Sequence, residues 1–173
     1  GKILAGEVKQ PKSYSLRTLE LIRNLSSHEA KIFMKLANFA IKSGQTNFLC
    51  KDDIQQFDIQ YKDIALMVEI GLIQPTEFLN FQISSGDIDS KVVFISGNKI
   101  IIAEIKANTP LIEIPVHVFS NSATELLRLI ETDPPFEYLT SFAKSVKKDN
   151  VDVKYGNIIK NLIMDCQSYT KYR

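Results

Sequence analysis

The sequence lacks a long apolar run, a strong net charge and any pair of closely spaced cysteines. No stretch of its 173 residues approaches the roughly 18 apolar residues that a bilayer-spanning helix needs. The formal net charge of +1 gives no global attraction to nucleic acid or to an anionic membrane. The two cysteines, Cys50 and Cys166, lie far apart, which favours reduced thiols and a cytoplasmic location over a disulfide framework.

Motifs for catalysis, cofactors and metals are also missing. Neither of the glycine-rich phosphate-binding motifs, G-x-x-x-x-G-K-[ST] and G-x-G-x-x-G, occurs in the sequence. There is also no G-x-S-x-G nucleophile motif. The soft metal ligands stand singly at four distant positions: His28, Cys50, His117 and Cys166. Zinc sites instead use ligands a few residues apart. We therefore predict no catalytic residue, no metal and no cofactor.

Two weaker signals remain, the acidic pairs and His117. The acidic pairs Asp52-Asp53 and Asp87-x-Asp89 fall in predicted loops or helix caps, where solvated carboxylates are common. A hydrolase with an unrecognised acidic site thus stays an alternative. His117 alternates with two valines on a predicted strand, which predicts that its ring faces solvent.

Helical periodicity dominates the first 75 residues. A short amphipathic segment ends at Pro11, and a second helix with a leucine face begins after Ser15. The pattern Ser26-x-x-Glu29 predicts a capping box for a third helix, which we expect to end near Gly44. A short strand over residues 48–50, a brief helix through residue 57 and a longer helix over residues 61–71 follow.

Strand patterns take over after Pro75. We predict strands near 78–83, 91–96, 99–105 and 112–119, with Gly97-Asn98 as a hairpin turn. A helix then begins with Ser120 or Ser122 as its N-cap, and Ser122-x-x-Glu125 predicts a second capping box. Another helix follows the prolines at 134 and 135. A short strand over residues 151–155 and a closing segment over residues 156–167 complete the prediction.

These elements predict the α+β class. We expect N-terminal helices with a winged-helix core as one candidate over residues 27–105, then a small antiparallel sheet flanked by C-terminal helices. We predict one domain over residues 1–173, with a helical part (1–75) and a mixed part (76–173). The helical pattern already runs at the second residue without a cap, which predicts a fragment of a longer protein.

Charge distribution argues against a winged helix that reads DNA. Residues 44–80, which would hold the recognition helix, contain two lysines against six acidic residues, a balance that a duplex repels. Positive charge instead concentrates in residues 1–43, with eight basic residues against three acidic ones. We name four residues there the N-terminal surface, our candidate for an interaction site: Lys12, Arg17, Thr18 and Arg23. A solvated helix face or a buried polar joint would explain the same residues.

One family resembles the start of this chain. The stretches "ILAGE" (residues 3–7), "SLRTL" (residues 15–19) and "LSSHEAKIF" (residues 25–33), with Pro11 between them, are similar to a pattern of the bacterial domain-of-unknown-function family numbered 2806. "EIGLI" and "VFSNSATELLRLI" resemble later parts of that pattern, with Phe119-Ser120 and Ala123 as departures. A more distant likeness points to alpha-type abortive-infection proteins of phage defence. The resemblance implies a cytosolic bacterial protein and supplies no catalytic residues.

The sequence therefore favours a non-enzymatic interaction or regulatory module of a bacterial cytosolic protein, in phage defence if the distant likeness holds. We expect a protein partner or self-association, and no membrane. The first alternative is a nucleic-acid-associated regulator that uses the basic N-terminal helices. The second alternative is the hydrolase described above.

Overall fold

The computed structural model describes residues 14–75 and 78–158, which form helices packed around one antiparallel sheet. The helices are α1 (Leu16–Asn24), α2 (Ser27–Ala37), α3 (Lys51–Ile54), α4 (Tyr61–Glu69), α5 (Asn121–Leu127) and α6 (Phe136–Val146). The strands are β1 (Ile41–Ser43), β2 (Thr46–Cys50), β3 (Asn80–Ile83), β4 (Ser90–Ser96), β5 (Lys99–Ile105), β6 (Ile112–Val118) and β7 (Val151–Asn157). The predicted α+β class is confirmed. The helix predicted before Pro11 and most of the predicted closing segment lie outside the described residues.

The caps predicted for α1 and α2 are both present. The Thr18 backbone N–H donates to the Ser15 hydroxyl at 3.2 Å, which makes Ser15 the cap of α1. At α2 the Glu29 N–H donates to Ser26 Oγ at 3.2 Å, and the Ser26 N–H donates back to the Glu29 carboxylate at 2.6 Å. Both caps satisfy backbone donors that have no partner inside a helix.

The third predicted helix is shorter than expected. It ends at Ala37, and residues 41–43 form strand β1, which pairs with β2 through the register Ile41↔Phe48. The prediction was wrong here because Ala37 and Ile41 have helical spacing while Phe39 and Ile41 have strand spacing. Both Phe39 and Ile41 are buried, and Gly44 adopts a positive φ of 57° in the hairpin turn. Burial of both side chains together with that turn favours the strand.

Seven strands form one sheet in the order β3-β6-β2-β1-β4-β5-β7, with antiparallel neighbours throughout. The four strands predicted between residues 78 and 119 are confirmed to within two residues at each end. The predicted hairpin at Gly97-Asn98 is also confirmed, with Ser96 paired to Lys99 across the turn. Strands β1 and β2 lie at the centre of the sheet, although they precede all five other strands by 30 residues or more.

One part of the hydrophobic core lies between one face of the sheet and helix α6. Phe48 on β2 and Phe94 on β4 are buried on this face, and both rings contact Phe142 of α6. Tyr138, one turn earlier on α6, is fully buried, and its hydroxyl accepts the Cys50 backbone N–H at 3.2 Å. Aromatic side chains of this size bury enough apolar area to dominate a core.

A winged-helix core is not confirmed. The predicted single strand after α2 is a hairpin, β1 and β2, and the later hairpin formed by β4 and β5 is part of the seven-stranded sheet. In a winged helix, the strands would instead form a small wing beside three helices. The element order over residues 27–105 is therefore similar to the prediction, but its arrangement is not that of a separate winged-helix unit.

The capping box predicted for helix α5 was wrong. Its N-cap is Ser120, whose hydroxyl accepts the Ala123 backbone N–H at 3.2 Å. Ser122 is buried in the first turn, so the predicted capping box of Ser122 and Glu125 does not form. The Glu125 carboxylate instead accepts a hydrogen bond from Ser15 at the start of α1.

Candidate binding cleft

A cleft of about 920 Å³ lies on the side of the sheet opposite α6. Side chains alternate between the two faces of a strand, so Lys42, Asn47 and Ile95 project away from the face that holds Phe48 and Phe94. The cleft is lined by Ala40, Lys42, Gln45, Asn47, Ile95, Gly97, Asn98, Thr124, Leu127, Arg128, Ile130, Glu131, Thr132, Asp133 and Ile158. The volume falls within the range typical of ligand sites, roughly 300–1,000 Å³.

One wall of the cleft is positively charged. Lys42 and Asn47 are direct cross-strand partners, so their side chains lie side by side. The Asn47 amide donates to the Thr124 hydroxyl at 3.2 Å, which ties the hairpin to α5. Arg128 follows Thr124 by four residues and lines the same cleft. We name these four residues the basic wall.

Residues 130–133 and the β4–β5 turn also line the cleft. Glu131 and Asp133 supply the two carboxylates of this lining. The Asp133 backbone N–H donates to Asn38 Oδ1 at 3.3 Å, which holds this loop against the end of α2. Gly97 packs directly against the loop, because a Cβ built on it would lie 2.5 Å from the Thr132 carbonyl oxygen. We name Glu131 and Asp133 the acidic pair.

The cleft brings together no recognisable catalytic set. Among the described residues no cysteine or histidine lines it, and of its two threonines Thr124 accepts a hydrogen bond from the Asn47 amide. Over residues 14–75 and 78–158 no group of three metal-ligating side chains occurs. Of the four soft ligands noted in the sequence, His28 is exposed, Cys50 is buried in the core and Cys166 lies outside the described residues.

Three glutamates have a lowered pKa, and each has a structural cause. The hydrogen bonds of the capping box, first that from the Ser26 side chain, lower the pKa of Glu29. Hydrogen bonds from Lys154 and then Lys91 lower the pKa of Glu104 to about 2. At Glu125 burial acts to raise the pKa, but hydrogen bonds from Ser15 and Thr18 outweigh it and the pKa is lowered. A general acid at neutral pH needs the opposite shift, so none of these three groups serves as one.

His117 differs from its predicted solvent exposure. The ring is half-buried on β6, opposite Leu49 of β2. Burial, reinforced by the positive charge of Lys51, lowers the pKa of His117 to about 4. The ring is therefore neutral at physiological pH.

The residues of the N-terminal surface differ in how exposed they are in the structure. Arg17 and Arg23 are exposed on α1, Thr18 is fully buried, and Lys12 lies outside the described residues. Arg17 and Arg23 stand six residues apart, about 120° around the helix at 3.6 residues per turn. The exposed Glu20 lies three residues from each arginine, between them on the helix surface. The two arginines therefore do not form an uninterrupted basic patch.

No local sequence pattern predicts the cleft residues. The basic wall comes from β1, β2 and α5 and the acidic pair from a loop, so no single motif contains them. Lys42 was also assigned to the end of a predicted helix. A correct hairpin prediction at Gly44-Gln45 would have paired Lys42 with Asn47, but nothing in the sequence would have added α5.

Comparison with known proteins defines the family of the chain. Within the described residues no helix combines the length and the hydropathy required to cross a membrane. No curated protein and no solved structure is significantly similar to the chain. A family model described as a protein of unknown function (DUF2806) matches residues 1–143, and this match confirms the resemblance noted in the sequence. The chain therefore belongs to the DUF2806 family.

Proposed function

We propose that this domain is a non-enzymatic interaction module of a bacterial cytoplasmic protein, and that it binds a protein partner or a second copy of itself. One observation carries the proposal: among the described residues the cleft is lined by both basic and acidic side chains but by no cysteine, histidine or group of three metal-ligating side chains. Nine of its fifteen lining side chains are polar or charged. Small-molecule sites are predominantly apolar with few polar groups, so this lining fits a polypeptide contact better.

Exposed apolar side chains support the same proposal. Leu16, Tyr61, Phe78 and Phe136 each expose more than two thirds of their surface. Single exposed apolar residues are ordinary, but aromatic ones are enriched at protein interfaces. Their positions on separate elements, α1, α4, the segment before β3 and α6, offer several contact points for a partner.

Affinity purification of the full-length protein from its bacterial host tests the proposal. We expect a partner in stoichiometric amount, or a mass above that of one chain by light scattering. An unrelated tagged domain of similar size and net charge is the control. A protein that stays monomeric and partnerless in its host would contradict the proposal.

We also propose that the protein acts in phage defence. This part of the proposal rests only on the likeness of its N-terminal residues to abortive-infection proteins. Its test is the survival of a bacterial culture during phage infection. We expect a strain that expresses the full-length gene to limit phage yield relative to a strain with the gene deleted. Equal phage yields across a broad phage panel would contradict this setting.

The nucleic-acid alternative draws on the exposed Arg17 and Arg23. Binding through these residues would weaken steeply as salt is added, because phosphate contacts release counterions. The intervening Glu20 and the acidic residues of α4 both disfavour it. Absence of binding to a labelled duplex at low salt would exclude this alternative.

The hydrolase alternative has less support. Glu131 and Asp133 are the two carboxylates that line the cleft, and the described residues that line it with them include no cysteine, histidine or group of three metal-ligating side chains. The hydrolase alternative would be supported if the protein had a measurable hydrolytic activity that is lost in Glu131→Gln and in Asp133→Asn.

A further inference from the structure

We infer that residues 159–166 of this chain pack as an amphipathic helix on the outer face of the sheet, beside the cleft. This segment lies outside the described residues, and its contact with the sheet does not depend on the proposed function, because it is a contact within the chain. Three observations support the inference: a group of apolar side chains on the sheet, the point at which the chain leaves the sheet, and the sequence that follows.

An apolar group lies on the face of β4 and β5 that points away from α6. Val93 is the direct cross-strand partner of Ile102, and Ile95 is that of Ile100. All four alternate along their strands with side chains of the core, so they share the opposite face and lie next to one another. We name these four residues the outer patch.

The outer patch is open to solvent among the described residues. Val93 exposes 38% of its surface, and the three isoleucines are partly exposed. Ile95 also lines the cleft. Another element that covered these side chains would remove apolar area from water, which is the main favourable term in packing.

The charged residues of the same face lie at the far end of the β4–β5 hairpin. Lys91 is the cross-strand partner of Glu104, and Glu104 forms ion pairs with Lys91 and Lys154. Along both strands the outer patch comes between this charged group and the β4–β5 turn. The apolar part of the face is therefore the part next to the turn.

The chain leaves the sheet at this same end. Strand β7 runs along β5 towards the turn, with Gly156 opposite Ile100. The Ile158 backbone N–H then donates to the Asn98 carbonyl oxygen at 2.7 Å, and Ile158 lines the cleft together with Ile95. The next residue therefore follows directly from one that is bonded to the turn beside the outer patch.

The sequence that follows has one apolar face. Four apolar residues recur at the i, i+3, i+4, i+7 spacing of an amphipathic helix: Ile159, Leu162, Ile163 and Cys166. A helix over residues 159–166 would be about 10 Å long at 1.5 Å per residue. The two cross-strand pairs of the outer patch lie about 7 Å apart along the strands. The helix is thus long enough to cover both pairs.

Tethering favours this segment over a second copy or a partner. A segment joined to the edge of its own site acts at an effective concentration in roughly the millimolar range. Any other occupant of the outer patch would have to displace it. We therefore assign the outer patch to the chain's own segment.

A spin label in the full-length protein tests the contact. Ser168→Cys/Cys166→Ser places one reactive thiol just after the segment, because the remaining Cys50 is buried. A nitroxide on this thiol should broaden the amide NMR signals of the outer patch. The amides of β3 should be broadened far less, because four strand spacings, about 19 Å, separate β3 from β4 and the effect falls steeply with distance.

Two matched variants of the labelled protein sharpen the test. Ile163→Asp places a carboxylate on the apolar face of the segment, whereas Asn161→Asp makes the same change in net charge on the opposite face. We expect Ile163→Asp to abolish the broadening and Asn161→Asp to retain it. Val93→Asp, at an exposed position of the sheet, should abolish it as well. Unchanged amide signals of α6 in all three variants would show that the domain stays folded.

Three results would overturn the inference. Amide signals of the outer patch could stay sharp in the labelled protein, or the broadening could survive in Ile163→Asp. The broadening could also arise only between molecules, when labelled protein is mixed with an unlabelled, isotope-enriched copy, and this would assign the outer patch to a second copy. None of these results changes the test of the proposed function, which is the capture of a host partner.

Discussion

The Glu125 carboxylate of α5 accepts the Ser15 backbone N–H of α1 at 2.9 Å, although 110 positions separate the two residues. The same carboxylate lies 3.2 Å from the Ser15 hydroxyl and accepts a hydrogen bond from Thr18. One side chain on α5 thus adds to the cap of another helix. The contact fixes α1 against α5, the helix that also carries part of the basic wall.

Replacement of Glu125 by Ala should lower the free energy of unfolding by about 1 kcal/mol, the usual value for a capping hydrogen bond. Urea denaturation followed by circular dichroism measures it. Glu20→Ala, at an exposed position of α1, is the control and should change stability by less than about 0.5 kcal/mol. Equal losses in the two variants would contradict a role for the Ser15–Glu125 contact.

Thr18→Val should also destabilise the protein by about 1 kcal/mol, because it keeps the shape of the side chain and removes a buried hydroxyl. That hydroxyl lies 2.9 Å from Ser15 Oγ. Arg17→Ala, at the adjacent exposed position, should leave stability unchanged. If Thr18→Val were neutral while Arg17→Ala were costly, our description of a buried polar joint would be wrong.

Two glycine substitutions should differ in their effect although both glycines have similar positive φ values, 57° at Gly44 and 56° at Gly97. Alanine at Gly44 meets no atom within 4 Å, so only backbone strain of about 1 kcal/mol is expected. Alanine at Gly97 also collides with the backbone of Thr132, so we expect a loss of about 3 kcal/mol. Thermal unfolding of both variants measures the difference, and equal losses would contradict the close packing of the β4–β5 turn.

Stability should fall as the pH drops from 6.5 towards 4 because of His117. Its pKa is about 4 in the folded chain and about 6.5 in the unfolded chain, so the unfolded state binds a proton first. This contribution to stability is complete above pH 6.5 and is lost as the pH falls through that window.

His117→Gln removes this titration and should flatten the pH dependence of the free energy of unfolding between pH 6.5 and 4. A slope that is unaffected by His117→Gln would show that another group is responsible. Glu104 adds a loss of stability in the same direction as the pH approaches and passes its unfolded pKa of about 4.5, because its folded pKa is about 2.

Local chemistry made much of the secondary structure predictable. Ser15, Ser26 and Glu29 are caps because their side chains satisfy backbone groups within three residues. Gly97-Asn98 forms a hairpin because the turn needs a residue that accepts positive φ. The family signature in residues 3–33 and the α+β class followed from the same short-range patterns.

Errors arose where a local pattern had two solutions. Residues 37–41 fit helix and strand alike, and pairing of Ile41 with Phe48 favoured the strand. Ser122 and Glu125 fit a capping box, but Ser120 caps the helix and Glu125 bonds to Ser15. His117 alternates with valines as an exposed residue would, yet its surroundings bury half of it.

The caps of α1 and α2, the hairpin turn, the strands of the second half and the family were predictable from the sequence, because each depends on residues close together in the chain. The strand order, the burial of Thr18 and the cleft appear only in the tertiary structure. These features depend on segments far apart in the chain, whose packing is set by which apolar faces can be buried together. That physical difference separates the parts of this protein that can be read from its sequence from the site at which we expect it to bind.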